Sequence, residues 1–155
     1  MSEADDFVVR EATAADMPGI SHVRLSVKEN ALSVQQLTER GITNASVAAS
    51  LLTHRRGWVA ERSGEIVAFS MADKANGSIF ALFVLAEYEG RGLGSRLLTL
   101  ALDWLWDSGA ERVWLSTSPG TRAARFYAKR GWTQTGEVGY GDVRFEMVRP
   151  RPRCS

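Results

Sequence analysis

The chain has 155 residues, 45% of them hydrophobic and 24% charged, with a formal net charge of +1, enough for one real core in a single domain. The near-neutral balance excludes an electrostatic footprint for nucleic acid, and the single cysteine, Cys154, excludes a disulfide framework or a cysteine metal cluster. The acidic start and the lack of an apolar stretch of about 18 residues exclude a secretory signal and a spanning helix, so a cytoplasmic protein without membrane, nucleic-acid or metal partners is expected.

Taken in chain order, Phe7–Glu11 reads as a first strand, and Thr13-x-x-Asp16 is a capping-box start for a helix through about Lys28. Pro18 is tolerable only near the first turn. A second helical piece runs from Ser33 to Gly41 and a third covers residues 45–53, with a polar loop, Val27 to Leu32, between the first two. Strands are expected at Gly57–Arg62 and Glu65–Asp73, joined by Ser63-Gly64, and then at Ser78–Val84 after the Asn76-Gly77 turn. A long helix from Gly92 to about Ser108 is followed by a strand at Arg112–Thr117 and a helix at Thr121–Arg130, stopped by Gly131. Trp132–Val138 and Asp142–Val148 close the sheet as an antiparallel pair. The expected fold is α/β (α+β): a mixed, mostly antiparallel sheet of about seven strands with helices on both faces. The expected domain is the whole of 1–155, with 7–149 as its core and 150–155 as a solvated tail. The last strands present an edge that must be covered, so a homodimer is expected.

The segment 82–98, LFVLAEYEGRGLGSRLL, carries the chemistry. A strand breaks into a turn with glycines at alternate positions, Gly90, Gly92 and Gly94, and a helix follows. Backbone N–H groups at such a helix start are uncovered and lie at the positive end of the dipole, a cradle for phosphate. Glycine lets the phosphate reach the amides, and Arg91 adds a flexible cation. A P-loop would need Lys and then Ser or Thr after the last glycine, where Ser95-Arg96 stand. A dinucleotide fingerprint would need glycine at Ser95 and an acid at the end of the next strand, which Glu111 precedes. Neither reading holds.

The segment resembles the coenzyme A-binding motif of the GNAT superfamily of acyl-CoA-dependent N-acyltransferases, Gln/Arg-x-x-Gly-x-Gly/Ala. The pattern falls on Glu89-Gly90-Arg91-Gly92-Leu93-Gly94. Glu89 departs from it and brings a negative charge toward the diphosphate, leaving Arg91 and Arg96 to compensate. A second block, Gly120 to Trp132, is similar to the family's Asn-x-x-Ala-x-x-x-Tyr-x-x-x-Gly-Phe signature: Ala123, Tyr127 and Gly131 match, Trp132 replaces Phe, and Gly120 replaces Asn. The resemblance implies acetyl-CoA as co-substrate and a small-molecule amine as acceptor, joined by direct attack in a ternary complex. It also implies that the backbone of Leu82, Phe83 and Val84 binds the pantetheine arm, that Gly90, Arg91, Gly92, Leu93, Gly94 and Ser95 take the diphosphate, and that Gly120 lies near the pantetheine. Tyr127 then matches the tyrosine that protonates the departing thiolate, and its titration would shape the basic limb of a pH–rate profile.

Acyl transfer to an amine also needs a base, because an alkylammonium has a pKa near ~10. Some family members carry a Glu at the position of Leu115, which cannot act. Glu29 is the first choice, Asp73 the second, and deprotonation through water a third. Of the two neighbouring aromatics on the last helix, Phe126 is the better core candidate, leaving Tyr127 for the site. Trp58, Trp114 and Trp132 read as core residues on strands, although facing a cleft they would hold an aromatic or cationic acceptor. Two rival functions stay open: acetylation of a protein N-terminus or lysine, and a non-catalytic acyl-CoA-binding module.

Overall fold

The computed structural model describes residues 7–26, 48–51, 53–117, 122–137 and 142–149. Its strands are β1 (Phe7–Glu11), β2 (Arg55–Arg62), β3 (Glu65–Asp73), β4 (Ser78–Val84), β5 (Arg112–Thr117), β6 (Thr133–Glu137) and β7 (Val143–Val148). Its helices are α1 (Met17–Ser26), α2 (Leu93–Asp107) and α3 (Arg122–Lys129). Seven strands form one sheet in the order β1-β2-β3-β4-β5-β7-β6. Every neighbouring pair is antiparallel except β4 and β5. The expected mixed α/β sheet is therefore the fold. Of the two expected helical pieces after α1, Ser33 to Gly41 lies outside the described residues, and of 45–53 the described residues 48–50 are helical.

Two cores hold the layers together. On one face α2 presents Leu93, Leu97, Leu98, Ala101 and Leu105, a stripe at helical spacing, against Val67, Ala72, Ile79, Val113 and Leu115 of the sheet. The Ser70 hydroxyl, fully buried, donates to the Leu97 carbonyl at 3.1 Å and ties the centre of β3 to this helix. On the other face α1 lays Met17, Ile20 and Val23 over Val59, Phe69 and Met71. Phe69 and Phe83 stack there across the β3–β4 pair, with ring centres 5.5 Å apart. β2 starts at Arg55, two residues before the expected Gly57, because Arg55 and Arg56 continue the ladder opposite Asp73 and Ala72. The Arg55 Nε donates to Asp73 at 3.0 Å and secures that end.

The entry to α1 follows its sequence signature. Asp16 accepts from the Thr13 backbone N–H at 2.7 Å and from both terminal nitrogens of Arg10, at 2.8 and 2.9 Å. The Arg10 guanidinium holds the Asp16 carboxyl at about 2, well below its ordinary 3.8, the Thr13 amide adding to the effect. A carboxyl lowered by folding stabilises above its unfolded pKa and loses that contribution as pH falls toward its folded one. Asp16→Asn is therefore expected to cost about 1–2 kcal/mol at neutral pH. That cost should shrink between pH 4 and 2, the window bounded by the two values above. Urea unfolding at a series of pH values reads this, and a cost independent of pH would contradict the assignment.

Candidate active site

The site begins with a ladder that stops. β4 pairs with β3 along its length, from Asp73↔Ser78 to Ala68↔Val84, but with β5 only at Ser78↔Trp114. The Trp114 N–H donates to the Gly77 carbonyl at 3.0 Å, and beyond that point the two parallel strands part. β5 meanwhile pairs with β7 in six consecutive positions. The edge of β4 from Ile79 to Val84 thus faces a gap with no strand hydrogen-bonded across it. Backbone groups left this way can accept an extended ligand as an added strand.

The gap opens onto the glycine turn. A short 3-10 turn, Ala86–Tyr88, leads through extended Glu89 to Gly90 (φ 79°) and Gly92 (φ 81°), the latter capping α2. Both occupy the left-handed region that favours glycine. Beyond its chain neighbours, a Cβ built on either would meet no atom of the described residues within 4 Å, so the space over both is open there. No side chain caps α2, and the first intrahelical bond runs from the Arg96 N–H to the Gly92 carbonyl at 3.1 Å. The amides of Leu93, Gly94 and Ser95 precede it in the helix's first turn, where N–H groups have no intrahelical acceptor. A first turn without acidic residues leaves the positive end of the dipole for an anion. These features fit a diphosphate.

Cations border the cradle. Arg91 lies against the Tyr88 and Phe7 rings at 5.7 and 5.9 Å, and Arg62 shares the same two rings. Arg130 donates to the Ser95 hydroxyl and stacks on Phe126 at 3.9 Å. Phe126 in turn is the nearest neighbour of the Gly94 Cβ position, at 3.7 Å. Sequence reasoning passed over Arg130; its proximity to Ser95 is a tertiary contact that spacing along the chain does not signal.

The other site residues divide as follows. Leu82 and Val84 are half-buried and pack into the α2-side core that also holds Leu93 and Tyr127, whereas Phe83 packs into the α1-side core. Tyr127 is 5% exposed and Phe126 half-buried, the reverse of the expected core assignment. The Tyr127 ring contacts Phe126, Trp132 and Phe145 at 5.3, 5.7 and 6.0 Å, and the last two, from outside α3, set its rotation. Burial pushes the Tyr127 phenol up from its ordinary value, which shifts any basic limb from its titration to higher pH. Glu29 and Gly120 lie outside the described residues.

Asp73 is unsuited to be the base. It is held by Arg55 and by the Ala75 N–H at 2.9 Å. It also pairs with Ser78, at the end of β4 opposite the glycine turn, about 20 Å of strand from Val84. Leu115 is 2% exposed in the core. Trp58 and Trp132 are buried as expected, while Trp114 is half-buried beneath the Arg144 guanidinium at 4.4 Å. Among the described residues no group of three or more His, Cys, Asp or Glu could hold a metal ion, and no helix is long and apolar enough to cross a membrane.

A sheet parted between two parallel neighbours, with a glycine turn at the mouth of the gap, is an α/β architecture suited to an extended, phosphate-bearing ligand. The sequence model of the acetyltransferase (GNAT) family matches residues 19–132, and the chain belongs to that family. It is 33% identical over 94 residues to an uncharacterized N-acetyltransferase of Archaeoglobus fulgidus, a match spanning 54% of this chain and 63% of that relative. Among solved structures it is similar to the PaiA N-acetyltransferase of Thermoplasma acidophilum in complex with coenzyme A, with a TM-score of 0.75, 16% identity, and coverage of 96% of this chain and 100% of that one. It is also similar to yncA from Salmonella typhimurium with its cofactor acetyl-CoA, with a TM-score of 0.68, 17% identity, and coverage of 96% and 97%. At such identities the structural likenesses establish the fold.

Proposed function

We propose that the chain is an N-acetyltransferase that moves acetyl from acetyl-CoA to a primary amine by direct attack in a ternary complex. The observation that carries this reading is the continuous path from the unpaired β4 edge into the uncapped glycine turn of α2. One end suits the amide-rich pantetheine arm and the other the diphosphate. Family membership and the coenzyme A-bound relatives support the same ligand.

In this reading the backbone of Leu82, Phe83 and Val84 aligns the thioester and directs an N–H at its carbonyl oxygen, where negative charge develops. The amides from Gly90 to Ser95, with Arg91, hold the diphosphate. The amine nitrogen forms its bond to the carbonyl carbon as the carbon–sulfur bond breaks. The ammonium gives up one proton, to Glu29 or to water, before it attacks; the Tyr127 hydroxyl protonates the thiolate, and the second proton, shed by the nitrogen after attack, restores the phenol. Burial keeps the phenol in its protonated form at neutral pH, with the O–H available to donate to sulfur. The acetylated amine and free coenzyme A leave.

Thiol release from acetyl-CoA, followed across a panel of primary amines and lysine-containing peptides, tests the reading. Amine-dependent release with small acceptors is the expected result. Release with peptides alone would favour protein acetylation. Coenzyme A binding without any release would favour the non-catalytic module.

A further inference from the structure

Arg24 is a cation in an apolar place. The buried positions of α1 are Met17, Ile20, Val23 and Arg24, so the guanidinium falls on the helix's core-facing stripe. The residue is 8% exposed, and its guanidinium carbon lies over the rings of Phe69 and Phe83, at 5.4 and 5.2 Å. Among the described residues it has no ion pair; its contacts are the two ring faces. Loss of water pulls its pKa down from 12.5 to about 10. Burying a cation without a carboxylate partner among the described residues is unfavourable, and two phenyl faces with the negative end of the α1 dipole offset only part of that cost.

Its position gives the deficit a meaning. Phe83 is the middle residue of the segment 82–84, and successive side chains on a strand face opposite ways. Leu82 and Val84 belong to the core that also holds α2, on the side of the glycine turn, whereas Phe83 and Arg24 lie on the α1 side. On the reading of β4 as the thioester-binding strand, a cofactor entering from the glycine turn would leave the α1 side for the attacking amine.

We propose that Arg24 is a specificity-determining residue that binds an oxyanion, carboxylate or phosphate, carried by the amine acceptor. The planar fork of Arg suits either group bidentately. The substrate class is then a small primary amine bearing an acidic group, and polyamines are disfavoured by the buried positive charge. This inference rests on the reading of β4 as the thioester-binding strand, and its test is chosen to be independent of turnover.

The test is calorimetric titration of the full chain, saturated with free coenzyme A, with an amino acid, its methyl ester, an aminoalkyl phosphate and a diamine. Tighter binding of the amino acid or the phosphate than of the ester and the diamine, by about tenfold or more, is expected. Whichever acid binds better identifies the group. Arg24→Gln should abolish that preference and leave the ester's affinity and the coenzyme A affinity unchanged, while Arg24→Lys should restore part of it. A wild-type chain that does not prefer an acidic acceptor overturns the proposal, even if the variants fail to fold. So does an Arg24→Gln variant that weakens every acceptor alike, which would make Arg24 a packing residue. Failure of the acetyltransferase reading itself would be seen separately, as absence of coenzyme A binding or of thiol release.

Discussion

Tyr127→Phe is expected to lower the rate of acetyl transfer about 10²-fold at saturating cofactor, the lower range for loss of a positioned general acid. The substitution keeps the ring, and therefore the contacts with Phe126, Trp132 and Phe145 that seat α3. Stability and coenzyme A affinity should survive it. Tyr127→Ala removes the ring as well and should cost about 3–5 kcal/mol of stability, as aromatic truncations in cores do. The contrast between the two variants separates chemistry from packing. Because burial raises the phenol's pKa, wild type and Tyr127→Phe should differ by a constant factor from neutral pH to the ordinary range of a phenol and diverge only above it. Stopped-flow thiol release with a reactive amine makes the chemical step visible. Full activity in Tyr127→Phe would make Tyr127 a core residue only and leave the thiolate to water or to the incoming ammonium.

Much of the fold was legible because local signals agreed. The bounds of β3, β4 and β5 follow directly from apolar runs, with Ser63-Gly64 and Asn76-Gly77 as turns before the first two. The α2 stripe from Leu93 to Leu105 shows its helical period in the sequence itself. What periodicity could not supply was the phase of a short helix. α3 has eight residues, and whether Phe126 or Tyr127 turns inward is decided by Trp132 and Phe145, which reach it from other elements. The parting of β4 from β5 was equally invisible to residue patterns. An unpaired strand edge and a paired one have the same side chains, and the family resemblance implied that the backbone of residues 82–84 binds the pantetheine arm.

The site was legible where its function lies in the backbone and obscure where it depends on side chains brought together by folding. Gly90 and Gly92 announced themselves because few residues other than glycine accept their backbone angles. Arg24 drew no reading from the sequence. The available signal was its place on the Met17, Ile20, Val23 stripe, where an apolar side chain belongs. Asp73 looked free to act as a base, because the Arg55 that holds it is 18 residues away in sequence.

Gly92→Val is expected to weaken coenzyme A binding by about tenfold or more, equivalent to about 1.4 kcal/mol. The added side chain would project into the open space above the turn, where a diphosphate must come within hydrogen-bonding distance of the α2 amides. It would also strain a residue at φ 81°, so a matched control is needed. Gly109 has a φ of 98° and equally open surroundings, but lies at the other end of α2. Gly109→Val should therefore lose similar stability and keep its affinity. Gly94→Ala is a second control. Its Cβ would make ordinary contact with Phe126 at 3.7 Å and Val84 at 3.8 Å, so it should bind as wild type does. Calorimetric titration of coenzyme A into the wild-type chain and these three variants is the most direct measurement of whether the glycine turn grips the cofactor. The account predicts that affinity falls in Gly92→Val alone; unchanged affinity in a folded Gly92→Val protein, or an equal loss in Gly109→Val, would contradict it.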